Sequence, residues 1–390
     1  MKIKKDSYIN GRFVEWFHHE SGEEYGYKKP QIDSFAVLHP KNEKNGQKYP
    51  LYVVFHSAGH DLYSTLGCIP YPGNHDIYHA PDDMYALYLD CRFNAENDWW
   101  WGGVDALFSC NASCTGTELQ PVERRCNDTI EYVLDAFPID KNSVYAVGNS
   151  MGGSGALGIA FRRGDIFSAI IANVPAGVEH ICDRCCLGRE KPEGFSIPEP
   201  PVVVDYSAQN DDWSTGHEKL YDGMKMEKYA IVGYFGTYGH ANNLEAIRGI
   251  NDIVLTFDAL TIKKNEAYPA FTNASTDDMI PWPDHRDSKV AGQVNAFFRF
   301  KNEKDTEDSF MMDIWLVNPD EIKTSRELPA ESVADVTLRR IQNYAIAPGE
   351  KILCRFGDDA FEVVADETGH ITIPGITVRQ TRQTLTLSRV

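Results

Sequence analysis

Ser150 stands in the pentapeptide Gly148-Asn149-Ser150-Met151-Gly152, with a further glycine at Gly153. The apolar run Val144 to Val147 leads straight into it, and Gly152 to Arg163 reads as a helix after it. A serine on such a strand-to-helix turn is lifted clear of the sheet, and small neighbours remove clashes around it. The helix that follows aims its first N–H groups at the site. The hydroxyl is still a weak nucleophile until an imidazole accepts its proton and a carboxylate fixes the tautomer of that imidazole. Both types follow in the chain. Asp211, with Asp212 and Trp213 beside it, comes just after the apolar run Val202 to Tyr206, and His240 sits next to Gly239 in a turn after Tyr229 to Tyr234. We take Asp211 as the orienting carboxylate and His240 as the base. Asp212 stays open as the alternative acid, and either aspartate also reads as an N-cap for a helix over His217 to Met226.

Attack on a carbonyl needs two N–H donors where negative charge develops. Met151, the residue after the serine, is one expectation. Ala58, in the stretch His56 to Gly59 that follows the strand Leu51 to Phe55, is the other, with Ser57 as the second choice. Three consecutive tryptophans, Trp99 to Trp101, follow the strand Tyr85 to Leu89. Loops at this end of parallel strands line the cleft of an open sheet. Trp100, Trp101 and Trp213 are therefore the substrate-binding candidates, stacking on a sugar or phenolic ring. A tryptophan cluster that plugs the loop against the sheet is the competing reading.

Other chemistry-bearing types carry weaker patterns. His75 and His79 have a spacing that binds zinc on a helix, and Cys182, Cys185 and Cys186 lie together near Asp183, but neither group has a full ligand set nearby. No metal and no cofactor is expected. The cysteine trio reads as buried thiols or one disulfide, with Cys110 and Cys114 as further pairing options. Glu123 and Arg124 read as a solvated or salt-bridging pair at a helix start, with Arg124 reaching the cleft as the alternative.

The elements that position these residues alternate. Strand-length runs at 51–55, 85–89, 143–147, 169–174, 202–206 and 229–234 are separated by amphipathic stretches at 122–136, 152–163, 217–226 and 244–262. That is the pattern of a mostly parallel α/β sheet flanked by helices. Arg12 to His18 and Gln31 to Leu38 read as an antiparallel hairpin at its edge. A connector rich in Pro and Asp, Tyr268 to Asp287, then leads to seven strand candidates and no long helix, which predicts a smaller all-β, Ig-like sandwich. The domains are expected at 1–286 and 287–390.

The chain's 390 residues carry a formal charge of −19, which repels phosphate backbones and anionic headgroups, so nucleic acid and membrane surfaces are not expected partners. Composition is ordinary for a folded protein, at 42% hydrophobic and 24% charged. No apolar run is long enough to span a bilayer. The first residues lack an apolar secretory core and the nine cysteines do not form a small-domain framework. The expected location is cytoplasmic, or secreted if a leader has been removed.

With the pentapeptide, Asp211, His240 and the His56 to Gly59 loop in hand, the segment from Pro50 to Ile262 resembles the α/β-hydrolases. It is most similar to serine esterases of the feruloyl and acetylxylan esterase or polyhydroxybutyrate-depolymerase kind. The resemblance implies a carboxylesterase acting through an acyl-enzyme, with a small-molecule or polysaccharide-linked ester as partner. It places His56 to Gly59 where lipases and esterases carry His-Gly-Gly; Ser57 departs from that pattern. Prolyl oligopeptidase-like peptidases and acyl-peptide hydrolases resemble the same segment and form the alternative, although they usually carry a large N-terminal propeller. Dienelactone-hydrolase relatives use cysteine where this chain has Ser150.

Overall fold

The computed structural model describes residues 1–91, 99–100, 118–242 and 257–390. Strands β1 (Lys2–Ile9), β2 (Arg12–Ser21) and β3 (Gln31–Leu38) form an antiparallel ribbon. The expected hairpin is there, but β1 lies outside it and forms the sheet edge. Next come β4 (Tyr49–Phe55), α1 (Leu62–Cys68), β5 (Tyr85–Tyr88), α2 (Pro121–Ala136), β6 (Ile139–Asn149), α3 (Met151–Phe161), β7 (Ala169–Asn173), α4 (Val178–Arg184), β8 (Val202–Ala208), α5 (His217–Met226) and β9 (Ile231–Gly236). The pairings β5–β4, β4–β6, β6–β7, β7–β8 and β8–β9 are all parallel. Of the helix expected over 244–262, residues 244–256 lie outside the described residues, and Ala259–Thr261 is a single 3-10 turn.

Then follow β10 (Tyr268–Thr272), β11 (Gly292–Val294), β12 (Phe298–Thr306), β13 (Ser309–Leu316), β14 (Glu331–Arg339), β15 (Lys351–Phe356), β16 (Asp359–Val364), β17 (Thr372–Arg379) and β18 (Gln383–Arg389). The large sheet runs β1-β2-β3-β5-β4-β6-β7-β8-β9-β11, and two antiparallel sheets, β10-β14-β17 and β12-β13-β18-β15-β16, make the sandwich. From β2 to β9 the order is that of an α/β-hydrolase fold: an antiparallel entry, then a crossed-over parallel sheet.

Two strands cross the division expected at Asp287. Tyr268–Thr272, read from its prolines as connector, pairs with β14 in the sandwich, while β11, which lies within the stretch 287–390 expected to be sandwich, pairs with β9 in the large sheet. Pro269 sits on β10, which has a neighbour on one side only, so its missing N–H costs no ladder bond there.

Alternation along the strands sorts the core. Leu51, Val53 and Phe55 face one side with Val144, Ala146, Ile170 and Val203, packed beneath residues of α2 to α5. Tyr52, Val54, Tyr145, Val147, Val204 and Val232 face the other side, in a cluster that continues without a break into Phe271, Phe298, Phe310 and Val336 of the sandwich. Sheet and sandwich thus share a core. The helical face holds one buried ionic group that the sequence misassigns. Glu123 is 1% exposed and pairs with Arg184, with Arg162 at 3.4 Å, instead of forming a solvated pair with Arg124. Its Oε2 also accepts the Gln120 N–H at 2.7 Å, closing the start of α2. Removing one partner would strand a buried charge at a cost of about 3–5 kcal/mol.

Candidate active site

Strand β6 ends at Asn149 and α3 begins at Met151, so Ser150 takes the whole turn by itself, at φ 58 and ψ −122. That is strained backbone for a residue with a side chain. Packing holds it there. A Cβ on Gly148 would lie 2.0 Å from the carbonyl oxygen of Gly152, and one on Gly152 would lie 2.0 Å from that of Phe55. The turn closes only with glycine at both positions. The Ser150 N–H donates to Asn173 O at 2.9 Å, and Ser150 O accepts from Ser154 N and Ala176 N.

Asp211 and His240 arrive from the ends of β8 and β9. His240 Nδ1 lies 2.7 Å from Asp211 Oδ2, and His240 Nε2 lies 2.7 Å from Ser150 Oγ. With Nδ1 protonated, Nε2 is left to accept the serine proton. The second Asp211 oxygen accepts the Trp213 N–H at 2.9 Å, and the carboxylate is almost wholly buried, whereas Asp212 is exposed. The structure therefore brings Ser150, His240 and Asp211 together in one hydrogen-bonded line, and not Asp212. The histidine loop is tied at both ends: Gly239 N donates to Asn210 Oδ1 at 2.9 Å, and Asn173 Nδ2 donates to Ala241 O at 3.1 Å.

Met151 opens α3, so its N–H is one of the first helical donors that lack an intrahelical acceptor. In the loop after β4 the Ser57 N–H is already donated to the Tyr78 hydroxyl at 2.8 Å, which favours Ala58 as the second donor. Tyr78 is fully buried and was not legible as part of the site, because it lies outside any motif.

The tryptophans divide. Trp100 is 1% exposed, and its Nε1 donates to His56 O at 3.0 Å. Its ring meets Phe55 and His56 edge-on at 5.1 and 5.0 Å. It fills the space left by Gly155, where a Cβ would come within 2.5 Å of the indole. The substrate-binding expectation for Trp100 is thus corrected: this residue is the plug, supporting the His56 loop from below. Trp101 lies outside the described residues. Trp213 is 47% exposed two residues after Asp211.

His75 and His79 flank a 3-10 turn instead of sharing a helix face. His75 takes positive φ, its ring lies 4.3 Å from that of His60, and Asn242 Nδ2 lies 3.3 Å from its Nδ1. Burial, aided by the neighbouring His60, pushes the His75 pKa down to about 4, so its ring is neutral at physiological pH. Cys182, Cys185 and Cys186 are buried, and burial raises the pKa of each thiol. Among the described residues no group of three His, Cys, Asp or Glu side chains converges as a metal site. Cys110 and Cys114 lie outside the described residues. No described helix is long and apolar enough to cross a membrane.

No family model and no curated protein matches the chain. Among solved structures it is similar to an S-formylglutathione hydrolase from Agrobacterium tumefaciens, at 15% identity over 67% of this chain and 100% of that one, with a TM-score of 0.45. A ferulic acid esterase from Anaeromyces mucronatus shares 16% identity over 66% and 95%, with a TM-score of 0.42. An S-formylglutathione hydrolase from Staphylococcus aureus shares 12% over 62% and 98%, with a TM-score of 0.40. Function has to be read from the side chains of the site.

Proposed function

We propose that the protein is a serine hydrolase of carboxylic esters working through an acyl-enzyme. The observation that carries this is the line Asp211–His240–Ser150, with 2.7 Å at each contact and the serine on a strained turn. Ser150 Oγ attacks the ester carbonyl while His240 Nε2 takes its proton, and Asp211 holds the imidazole in the tautomer that can do so. The N–H groups of Met151 and Ala58 stabilise the oxyanion. His240 then returns the proton to the leaving alkoxide, and water repeats the sequence to free the acid. No step calls for a cofactor.

For the substrate we favour a feruloyl or acetyl ester on a polysaccharide. With Trp100 buried, that preference rests on Trp213, a half-exposed indole beside the acid loop that offers a face to a sugar or phenolic ring. The test is labelling with a fluorophosphonate and mass mapping of the modified peptide, alongside turnover of p-nitrophenyl acetate, p-nitrophenyl butyrate and methyl ferulate. Modification of Ser150 with ester turnover is the expected result. An unlabelled Ser150 in folded protein would overturn the reading, and a preference for peptide anilides over phenyl esters would move it to the peptidase alternative.

A further inference from the structure

The acid loop is held by chain that belongs to neither β8 nor α5. Between sandwich strand β10 and the short β11, the segment 281–288 folds back under residues 209–214. Arg286 Nε donates to Gln209 O at 3.2 Å and its Nη2 donates to Asp211 O. One planar guanidinium thus spans the carbonyls on either side of Asn210, the residue whose side chain accepts the Gly239 N–H next to His240. The Gln209 side chain donates in return to Ser288 O.

Trp282 makes a second anchor. It is 4% exposed, stacked on His217 at 4.7 Å, and its Nε1 donates to Ser214 Oγ at 3.0 Å; that hydroxyl in turn donates to Asp211 O at 2.7 Å. Beyond the brace, β11 pairs with β9 up to Phe235, just ahead of the histidine loop. Both loops of the acid–base pair are therefore fixed by the segment that joins sheet to sandwich.

We propose that Arg286 is a positioning residue for the reaction: by fixing the backbone on both sides of Asn210 it aims the Asp211 carboxylate at His240. This rests on the reading of Ser150, His240 and Asp211 given above. The guanidinium suits the task because its donors sit in a rigid fork that holds two carbonyls at once, which an ammonium cannot reproduce. A displacement of about 1 Å in a reacting group costs on the order of 10²-fold in rate, so loss of the fork should register in turnover more than in binding.

The experiment compares full-length wild type, Arg286→Ala and Arg286→Lys on p-nitrophenyl acetate, with kcat expressed per fluorophosphonate-titrated site. Arg286→Ala should lower kcat by about 10- to 100-fold with KM within about twofold, and millimolar ethylguanidinium should restore part of it. Arg286→Lys should fall between the two. In the proton spectrum at low pH, the downfield resonance of the His240 Nδ1 proton should shift or broaden in Arg286→Ala. If Arg286→Ala does not fold, Arg286→Lys decides: a kcat per site lowered several-fold supports the proposal, and one equal to wild type overturns it. Equal kcat per site in a folded Arg286→Ala overturns it likewise. Failure of the underlying reading looks different, since Ser150→Ala would then turn over ester as fast as wild type.

Discussion

The two halves of the site are built by opposite means. On the nucleophile side, ten consecutive residues contain the strand end, the strained serine, the glycines that permit it and the first helical N–H. Its geometry is set by contacts such as Gly148 against Gly152, four positions apart. On the acid–base side, Asp211 and His240 come from two loops, and the groups that hold them come from Asn173, Trp282 and Arg286. The lesson is that a strained nucleophile can draw its special residue types from one short stretch, small residues and a helix start, with Phe55 and Asn173 of the adjacent strands only closing the turn. A carboxylate and an imidazole on separate loops need a scaffold of distant chain to keep a hydrogen bond in register.

Experiments that break this comparison start with the residues themselves. Ser150→Ala and His240→Ala should each lower turnover of p-nitrophenyl acetate by about 10⁴- to 10⁶-fold while circular dichroism stays that of the folded protein, because members of such a set act as a unit. Asp211→Asn should cost roughly 10³- to 10⁴-fold by leaving His240 in the wrong tautomer, against less than about tenfold for the exposed Asp212→Asn. A reversal of that pair would reassign the acid.

Next comes the scaffold. A chain ended at Asp287 loses β11 from the large sheet and every sandwich partner of β10, and bares the core around Phe271. It should lose solubility and about 10²-fold of its activity on every ester, small or polymeric, a size set by the displacement cost of the acid loop. A soluble, fully active fragment would show that the acid–base side needs nothing beyond Asp287, the brace of Trp282 and Arg286 being kept. Smaller still, Trp213→Ala should raise KM for methyl ferulate by about 5- to 10-fold, the worth of one aromatic contact, and leave p-nitrophenyl acetate nearly unchanged. Steady-state kinetics on both esters separates these.

The smallest expected effect is electrostatic and sits where sandwich meets sheet. Glu199, ahead of β8, pairs with Arg339 of β14 and lies 3.3 Å from His370. Burial alone would raise its pKa, yet the hydrogen bond from His370 and the charge of Arg339 together bring it below the usual carboxylate value. A carboxylate held low in the folded state contributes stability above its unfolded pKa of about 4.3, and loses that contribution as pH falls through the folded value. Glu199→Gln should therefore lower Tm by about 2–4 °C at pH 7 and by little at pH 3, as differential scanning calorimetry can follow.

What the sequence determines by itself is whatever depends on neighbours in the chain. Hydrophobic period separates β4 to β9 from the helices between them, and Gly148 to Gly153 announces the turn because the residue types it requires sit within a few positions, although Phe55 and Asn173 of neighbouring strands close it. The order of Ser150, Asp211 and His240 follows from the strand ends on which they sit. Only the tertiary structure decides the rest, since those choices weigh contacts between segments far apart. A three-residue strand such as Gly292–Val294 has no period of its own, and it joins β9 because that edge was open. Trp100 is a plug and Trp213 is half exposed because Gly155 leaves room for the one indole and nothing described covers the other. Arg286 lies in no motif at all. Its role exists only because the fold returns residue 286 to two carbonyls more than seventy positions earlier, at 209 and 211, where a guanidinium fork fits.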